Sequence, residues 1–524
     1  MDVSESVGLG LWQLPVILVS LYRGIPSAML MMNYNFAASK TTFWCRNDTG
    51  GERNTFDASN IVSNLSEGLG ECLKSENGVV TNCDAWNFDH SVFSWTLVEE
   101  WDLVCERSWL RPLSQSLYLI GMLFGNLIFP QVSDRFGRKV SVLLSSVMML
   151  IFGFLGAFST SLAMFNATRF LAALGTGGIQ STSVTLFVET VPSRHRVLFV
   201  VTYGFGWTIG QLGTVALAYA IRNWRHLQMA SGLFALPLIV VWWFLSESPR
   251  WLLTQGREEA AMKELRRAAK INKSVAPDLT QLSELLKRQS KVAKLKTPTL
   301  LDLLKGSKLR VYTFVMLYTF FAQRILYFHL SYAAVLIGGD QFLNYTIVQF
   351  MELPGKALGI VATIFFPRKA CLIIFFVCGA IAFLVALAFT KDSIWGMVAV
   401  SAVAMLFGSA NLELLCIYAA EVFPTCVRTI GVGSAYMASR VGSALAPFVS
   451  SIEDVAPRGV MEASVSGMQI IAALTLLLTP ESFRKRLPDS LEDAEHPFRS
   501  QGANIEVDDS KESENGLDIS NTVV

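Results

Sequence analysis

Charge is what this 524-residue sequence has least of, with 16% of its residues Asp, Glu, Lys or Arg against roughly 25% in an ordinary globular domain. So thin a supply excludes a disordered chain and a nucleic-acid binder, which both depend on concentrated charge. No glycine-rich phosphate cradle or ATPase motif is present, which argues against an ATP-driven pump. No nucleophile, base and orienting group stand together in the polar connectors, so the chain is not expected to be an enzyme, and no cofactor or metal is expected. No basic segment precedes the first apolar run, and Arg23 interrupts that run, so it reads as a retained helix rather than a cleaved signal.

What is abundant is apolar surface: 52% hydrophobic residues, 35 of them Phe, and a mean hydropathy of +0.43. Helices that face lipid need no polar side. Twelve runs near the required ~20 residues are expected as spans, near 12 to 32, 113 to 131, 140 to 160, 164 to 186, 197 to 220, 226 to 245, 311 to 336, 343 to 366, 370 to 390, 394 to 418, 430 to 450 and 459 to 479. The expected layout is an N-terminus and first helix (1–32), a loop (33–111), helices 2 to 6 (113–245), a basic loop (246–310), helices 7 to 12 (311–479) and a polar tail (480–524).

Bases collect in alternate connectors: Arg135, Arg138 and Lys139; Arg194 and Arg196; the loop from Arg250 to Arg310; Arg368 and Lys369; and Arg428. By the positive-inside rule these face the cytosol, as do both termini. The 33–111 loop is then extracellular, and it carries Cys45, Cys72, Cys83 and Cys105 with the sequons at Asn47 and Asn64. Two disulfides in one of three pairings are expected there, and glycosylation at both asparagines. Cys371, Cys378, Cys416 and Cys426 sit in or beside spans and read as small apolar filler.

The chain repeats itself. Glu189-x-x-Pro192-x-x-x-Arg196 recurs as Glu421-x-x-Pro424-x-x-x-Arg428, 232 residues on; Glu247-Ser-Pro-Arg250 recurs as Glu481-Ser-Phe-Arg484 at 234, and Arg138-Lys139 as Arg368-Lys369 at 230. Three matches at nearly one offset imply two homologous six-helix halves, the layout of a carrier that rocks about a site between them. Asp134, Arg135, Arg138, Glu189, Arg196, Glu247, Arg250, Glu421 and Arg428 are expected to form a gate of cross-half ion pairs and helix-end contacts on the cytosolic face.

These segments resemble the major facilitator superfamily. Pro130-Gln-Val-Ser-Asp134-Arg135-Phe-Gly137-Arg138-Lys139 is similar to its motif G-x-L-x-D-R-x-G-R-R, with Pro130 in place of the first glycine. Within it the chain resembles the organic cation, organic anion and carnitine transporter family, solute carrier family 22. The residues that carry this are Glu100-Trp101-Asp102-Leu103-Val104-Cys105, Glu247-Ser-Pro-Arg-Trp-Leu252, Glu421-Val-Phe-Pro-Thr425 and Leu487-Pro-Asp-Ser-Leu-Glu-Asp493. The resemblance implies an all-α membrane protein of two six-helix bundles. Two departures stand out: the outer loop has four cysteines where such loops often have six, and Phe366-Pro367-Arg368-Lys369 lacks the Gly-Arg-Arg form.

A charge at mid-bilayer costs about 2.5 to 3.5 kcal/mol on insertion scales, so each one is a functional candidate. Arg324, Glu352, Lys356, Glu413 and Arg440 qualify. Glu352 and Lys356 are one turn apart and can pair. Phe320, Arg324, Tyr327 and Phe328 share one face of the seventh span, and Tyr327-Phe328 resembles the aromatic pair of the family's drug-sized site. Glu352-Leu-Pro-Gly-Lys356 resembles D-L-P-A-K of the anion carriers, and Arg440 stands where anion and carnitine carriers have Arg and cation carriers have Asp. Arg169 resembles the superfamily's intramembrane arginine, and Arg23 either points to the same cavity or, the favoured reading, snorkels to the interface; neither is placed among the foremost site residues.

The expected partners are the lipid bilayer and a small organic ion, with no nucleic acid. The C-terminal Thr522-Val523-Val524 fits a PDZ ligand. The reading is a plasma-membrane transporter of amphipathic organic ions by alternating access, foremost anions, with exchange implied by the resemblance. A cation or carnitine-like zwitterion carrier and a non-transporting receptor stay open as alternatives.

Overall fold

The computed structural model describes residues 8–46, 72–76, 79–195, 197–274, 300–389, 393–452, 459–483 and 488. Twelve long helices carry the fold: α1 (Leu11–Ala37), α2 (Leu110–Phe136), α3 (Arg138–Leu155), α4 (Leu162–Thr190), α5 (Val197–Ala220), α6 (Trp224–Phe244), α7 (Ser307–Ala333), α8 (Gln341–Phe365), α9 (Arg368–Val385), α10 (Ile394–Val422), α11 (Arg428–Ser451) and α12 (Val460–Leu476). Among the described residues nine of them are long and apolar enough to span a membrane on those grounds alone, and α5, α11 and α12 complete the two bundles of six. Each helix falls on one of the twelve apolar runs. In lipid, close helix contact comes from small residues. A Cβ on Gly125 of α2 would overlap the Leu174 carbonyl of α4, and one on Gly206 of α5 would overlap the Leu21 carbonyl of α1.

Two faces are distinguished below by what they carry: the loop face, where the 33–111 connector lies, and the basic face opposite. On the loop face β1 (Phe43–Cys45) pairs antiparallel with β4 (Trp86–Phe88), and β2 (Leu73–Glu76) with β3 (Val79–Asn82). Disulfides join Cys45 to Cys83 and Cys72 to Cys105, each with Cα atoms 5.7 Å apart. Asn47 and Asn64 lie outside the described residues. The connector docks on the first turn of α6. Glu100 accepts hydrogen bonds from Trp95 Nε1 (2.8 Å) and Trp224 Nε1 (2.9 Å) and pairs with Arg225, while Trp101 packs 5.4 Å from both Phe165 and Trp224. Burial alone would raise the Glu100 carboxyl; donation by Arg225, Trp95 and Trp224 outweighs it and holds the group below its ordinary range.

The basic face shows what the repeat encodes. Glu247 takes the main-chain N–H groups of Arg138 (2.9 Å) and Lys139 (3.1 Å) at the start of α3, and Glu481 takes those of Arg368 (3.0 Å) and Lys369 (3.1 Å) at the start of α9. A carboxylate there satisfies orphan donors and meets the positive end of the helix dipole. Burial nevertheless raises the Glu247 carboxyl, against the opposing pull of those donors. Gly137 precedes α3 at φ +109°, and a Cβ there would run into Glu247. The side-chain pairs also repeat: Arg138 to Glu189 at 2.9 Å, and Arg368 to Glu421 at 3.0 Å. Both pairs close inside a half. Among the described residues no basic-face ion pair joins the two halves, so the cross-half pairing expected from sequence gives way to pairing between neighbouring connectors of one bundle.

The halves meet toward the loop face. Ser116 Oγ donates to the Ala444 carbonyl (2.6 Å), Gln115 Nε2 to the Tyr332 hydroxyl (3.2 Å), and Ser39 Oγ to Gln341 Oε1 (3.0 Å). Phe342, on the first turn of α8, is enclosed by Phe36 (5.5 Å), Tyr219 (5.7 Å) and Phe93 of the connector (5.8 Å), with the Arg222 guanidinium 4.6 Å from its ring.

Candidate functional site

Among the described residues three helices are interrupted along their length, α1, α6 (Trp224–Leu233 and Leu236–Phe244) and α8, and the breaks in α1 and α8 present a charge. In α1 the helical pieces are Leu14–Tyr22 and Gly24–Ala37, separated at Arg23. Pro26 lies four residues beyond Tyr22 and has no N–H to return to its carbonyl. In α8 the pieces are Gln341–Phe350 and Glu352–Phe365, and Pro354 stands in the same relation to Phe350. Arg23 and Glu352 are buried at 2% and 3% exposure. Broken helices at mid-membrane are a recurrent way for carriers to build binding sites.

Around the α8 break, Glu352 pairs with Lys356 at 2.6 Å, as the one-turn spacing permits. Lys356 Nζ also crosses the seam to the Gly204 carbonyl (3.0 Å) and Thr208 Oγ1 (3.3 Å) of α5. The Tyr327 hydroxyl of α7 donates to Glu352 Oε2 (3.1 Å) and accepts from Trp207 Nε1 (2.9 Å) and Gln211 Nε2 (3.0 Å) of α5. One O–H donor and two lone pairs are thereby all used. Tyr327 is therefore a knot between halves as well as part of the aromatic face. Phe328 lies edge-on to it at 5.3 Å and stacks on Tyr332 at 6.0 Å, while Phe320 packs edge-on to Tyr436 at 5.4 Å.

Around the α1 break, the Arg23 guanidinium sits 4.4 Å from the Tyr203 ring centroid and donates to the Gln180 main-chain oxygen at 3.3 Å. Arg440 of α11 donates to Gln180 Oε1 at 2.5 Å and reaches Met122 Sδ at 3.6 Å. Gln180 Nε2 completes the set by donating to the Tyr203 hydroxyl at 2.8 Å. Arg324 leans toward the Tyr327 ring at 5.7 Å, with its Nε buried and without a hydrogen-bond partner. Electrostatically Arg440 interacts with Arg324 and Arg23, and Glu413 with Lys356, Glu352 and Arg324. Among the described residues Arg440 forms no ion pair with Glu413. Among the described residues the cluster thus holds four cations, Arg23, Arg324, Lys356 and Arg440, against two carboxylates, Glu352 and Glu413. The Tyr203 and Tyr327 rings lie beside these charges. A pocket of about 230 Å³ opens nearer the loop face beside Tyr34, Lys40, Arg111, Gln115 and Tyr332, and none of the residues expected to bind substrate lines it.

Of the residues expected at the gate, Asp134 joins Arg138 at 2.8 Å, and Glu189 and Glu421 pair as described. Arg135 is exposed on the Phe136 ring, and Arg250 is half-buried without an ion pair among the described residues. Arg428 caps its own connector by donating to the Phe423 carbonyl at 3.3 Å, so the base in Glu421-x-x-Pro-x-x-x-Arg428 is not the partner of that glutamate. Arg196 and Thr522, Val523 and Val524 lie outside the described residues. Sequence reading ranks Arg23 low and does not single out Gln180, Tyr203, Trp207 or Gln211. The available signal was polar or basic side chains inside apolar runs, with Pro26 beside one of them.

The comparisons with known proteins agree with this architecture. The family model described as Sugar (and other) transporter matches residues 72–487. An organic cation transporter protein of Drosophila melanogaster is 31% identical over 433 residues, covering 82% of this chain and 79% of the relative. Solute carrier family 22 member 6 of Danio rerio is 32% identical, covering 82% and 77%, and organic cation/carnitine transporter 2 of Homo sapiens is 33% identical, covering 78% and 73%. The fold matches the xylose transporter XylE from E. coli, in a structure titled as an inward open conformation, with TM-score 0.65 and 20% identity over 93% of this chain and 99% of that one. The chain belongs to the organic cation, organic anion and carnitine transporter family, solute carrier family 22, of the major facilitator superfamily.

Proposed function

We propose that this multi-pass transporter carries amphipathic organic anions across the plasma membrane by alternating access, in exchange for another organic anion. In this reading the loop face is extracellular and both termini are cytosolic. The observation that carries it is the excess of two positive charges in the mid-depth cluster. Arg440 in particular is satisfied by a neutral amide rather than an acid, so its charge stays available to a substrate carboxylate or sulfonate, which a guanidinium grips with two parallel bonds. The conformation is read as closed toward the outside. The hydrogen bonds near the loop face then break as the halves rock, while the pairs inside each half on the basic face stay with their bundle.

Uptake of radiolabelled benzoate, benzenesulfonate, tetraethylammonium and carnitine by cells expressing the full chain, normalised to surface protein, tests this. Saturable uptake of benzoate or benzenesulfonate, accelerated by preloading with unlabelled anion, is expected. Uptake of tetraethylammonium alone would overturn it. A carnitine-like zwitterion is the second reading, favoured by Glu413 lying within electrostatic reach of Lys356 and Arg324; carnitine uptake without benzoate uptake would select it.

A further inference from the structure

We propose that Arg23 is a substrate-contacting, specificity-determining residue, and that the acidic group of the substrate is held between the guanidinium groups of Arg23 and Arg440, one from each half of the carrier. This rests on the anion reading above.

The two arginines share their surroundings. Arg23 donates to the main-chain oxygen of Gln180 and Arg440 to its side-chain oxygen. The Tyr203 ring lies under Arg23, and its hydroxyl accepts from the Gln180 amide nitrogen. Arg440, which carries a like charge, acts electrostatically on Arg23. Two cations that share one neutral amide repel in a medium of low dielectric. A carboxylate offers two oxygens with about four acceptor sites, enough for a fork from each side. Gln180 Oε1 occupies the place that one such oxygen would take.

The position of Arg23 is fixed by its own sequence. The break that Pro26 imposes on α1 falls at Arg23, whose helical backbone (φ −56°, ψ −28°) joins the two pieces, and its carbonyl accepts from Ser27 Oγ at 2.7 Å. Gly24 lets α5 approach so closely that a Cβ there would meet the Trp207 main chain 2.6 Å away, which brings Tyr203, one turn before Trp207, beneath the guanidinium. Because α1 and α11 belong to opposite halves, an anion between Arg23 and Arg440 ties the halves together at the depth where the carrier must close over its cargo. Arg23 then sets affinity for anions rather than merely joining α1 to α4.

The test uses the full chain in cells, with surface protein quantified and uptake of radiolabelled benzoate measured over a concentration range. Arg23→Gln is expected to raise the half-saturation concentration about tenfold or more, the loss of one charged hydrogen-bonding partner. Arg23→Lys keeps the charge and loses the fork, and is expected to raise it by less than Arg23→Gln. Arg440→Gln combined with Arg23→Gln is expected to be less than multiplicative, since either change alone removes the two-sided grip. A purely structural Arg23 would instead lower surface level or maximal rate at unchanged half-saturation, and that result overturns the proposal. If Arg23→Gln fails to reach the surface, Arg23→Lys decides, with wild-type half-saturation as the overturning result. Loss of benzoate affinity in Arg440→Gln but not in the Arg23 variants sinks this inference and spares the anion reading; absence of anion uptake by the wild-type chain sinks both.

Discussion

Lys356 reaches from α8 to the main-chain oxygen of Gly204 on α5, 3.0 Å away, while its charge stays 2.6 Å from Glu352 one turn back. One side chain therefore serves an ion pair within its helix and a hydrogen bond between the halves. Tyr327 binds the same carboxylate and the same α5, so Glu352 is held from two sides.

Lys356→Ala leaves Glu352, at 3% exposure, as a buried carboxylate without its ion-pair partner. Breaking such a pair costs about 3–5 kcal/mol, whereas removing both members costs far less. The single variant should melt well below wild type in detergent, and Lys356→Ala with Glu352→Gln should recover most of the loss. Equal melting temperatures for single and double variants would mean that the pair carries no such burden.

The basic-face pairs should govern rate. Neutralising Glu421 frees Arg368, and neutralising Glu189 frees Arg138; neither residue lies in the mid-depth cluster. Glu421→Gln should lower maximal transport more than apparent affinity. A tenfold rise in half-saturation at unchanged maximal rate would move Glu421 into the binding site.

Peptide mapping without reduction should recover Cys45 linked to Cys83 and Cys72 linked to Cys105. Four alkylatable thiols in that connector on intact surface protein would contradict this. The even cysteine count announced two bridges, but the pairing depends on which strands meet, and β1 with β4 is a non-local contact that spacing does not encode.

The same division holds elsewhere. The spans were legible because lipid forbids polar faces, and the two halves because Glu247 with Glu481 and Arg138 with Arg368 keep nearly the same offset. The ion-pair partners were not. Glu421 and Arg428 look matched along the chain, yet Arg428 Nε donates to the Phe423 carbonyl and acts on Glu421 only at longer range, while Arg368 of a different connector pairs with Glu421. Glu352–Lys356 was readable because helical spacing alone brings the two together. Snorkelling was the favoured of two readings of Arg23 because its partners, Gln180 and Tyr203, meet it only when α4 and α5 are in place.

Docking of the connector through Glu100 should withstand mild acid. Its folded-state pKa is lowered, so its contribution is full above the ordinary glutamate value of about 4.3 and fades as pH falls through the lower folded value. Hydrogen exchange across the segment from Trp95 to Trp101 should be unchanged between about pH 7 and pH 5 after correction for intrinsic rates. Glu100→Gln should raise exchange at all pH values. Loosening of the wild-type segment near pH 6 would contradict the assignment.

The most direct test of the anion reading is Arg440→Asp, with surface protein and benzoate uptake measured on the same cells. Arg440 meets Gln180, a neutral residue, so reversing its charge removes the substrate's partner without stripping an acid of its base. The account predicts wild-type surface level with benzoate uptake abolished, and partial uptake in Arg440→Lys, where the charge remains but the planar fork is gone. Normal benzoate uptake by surface-expressed Arg440→Asp would contradict it.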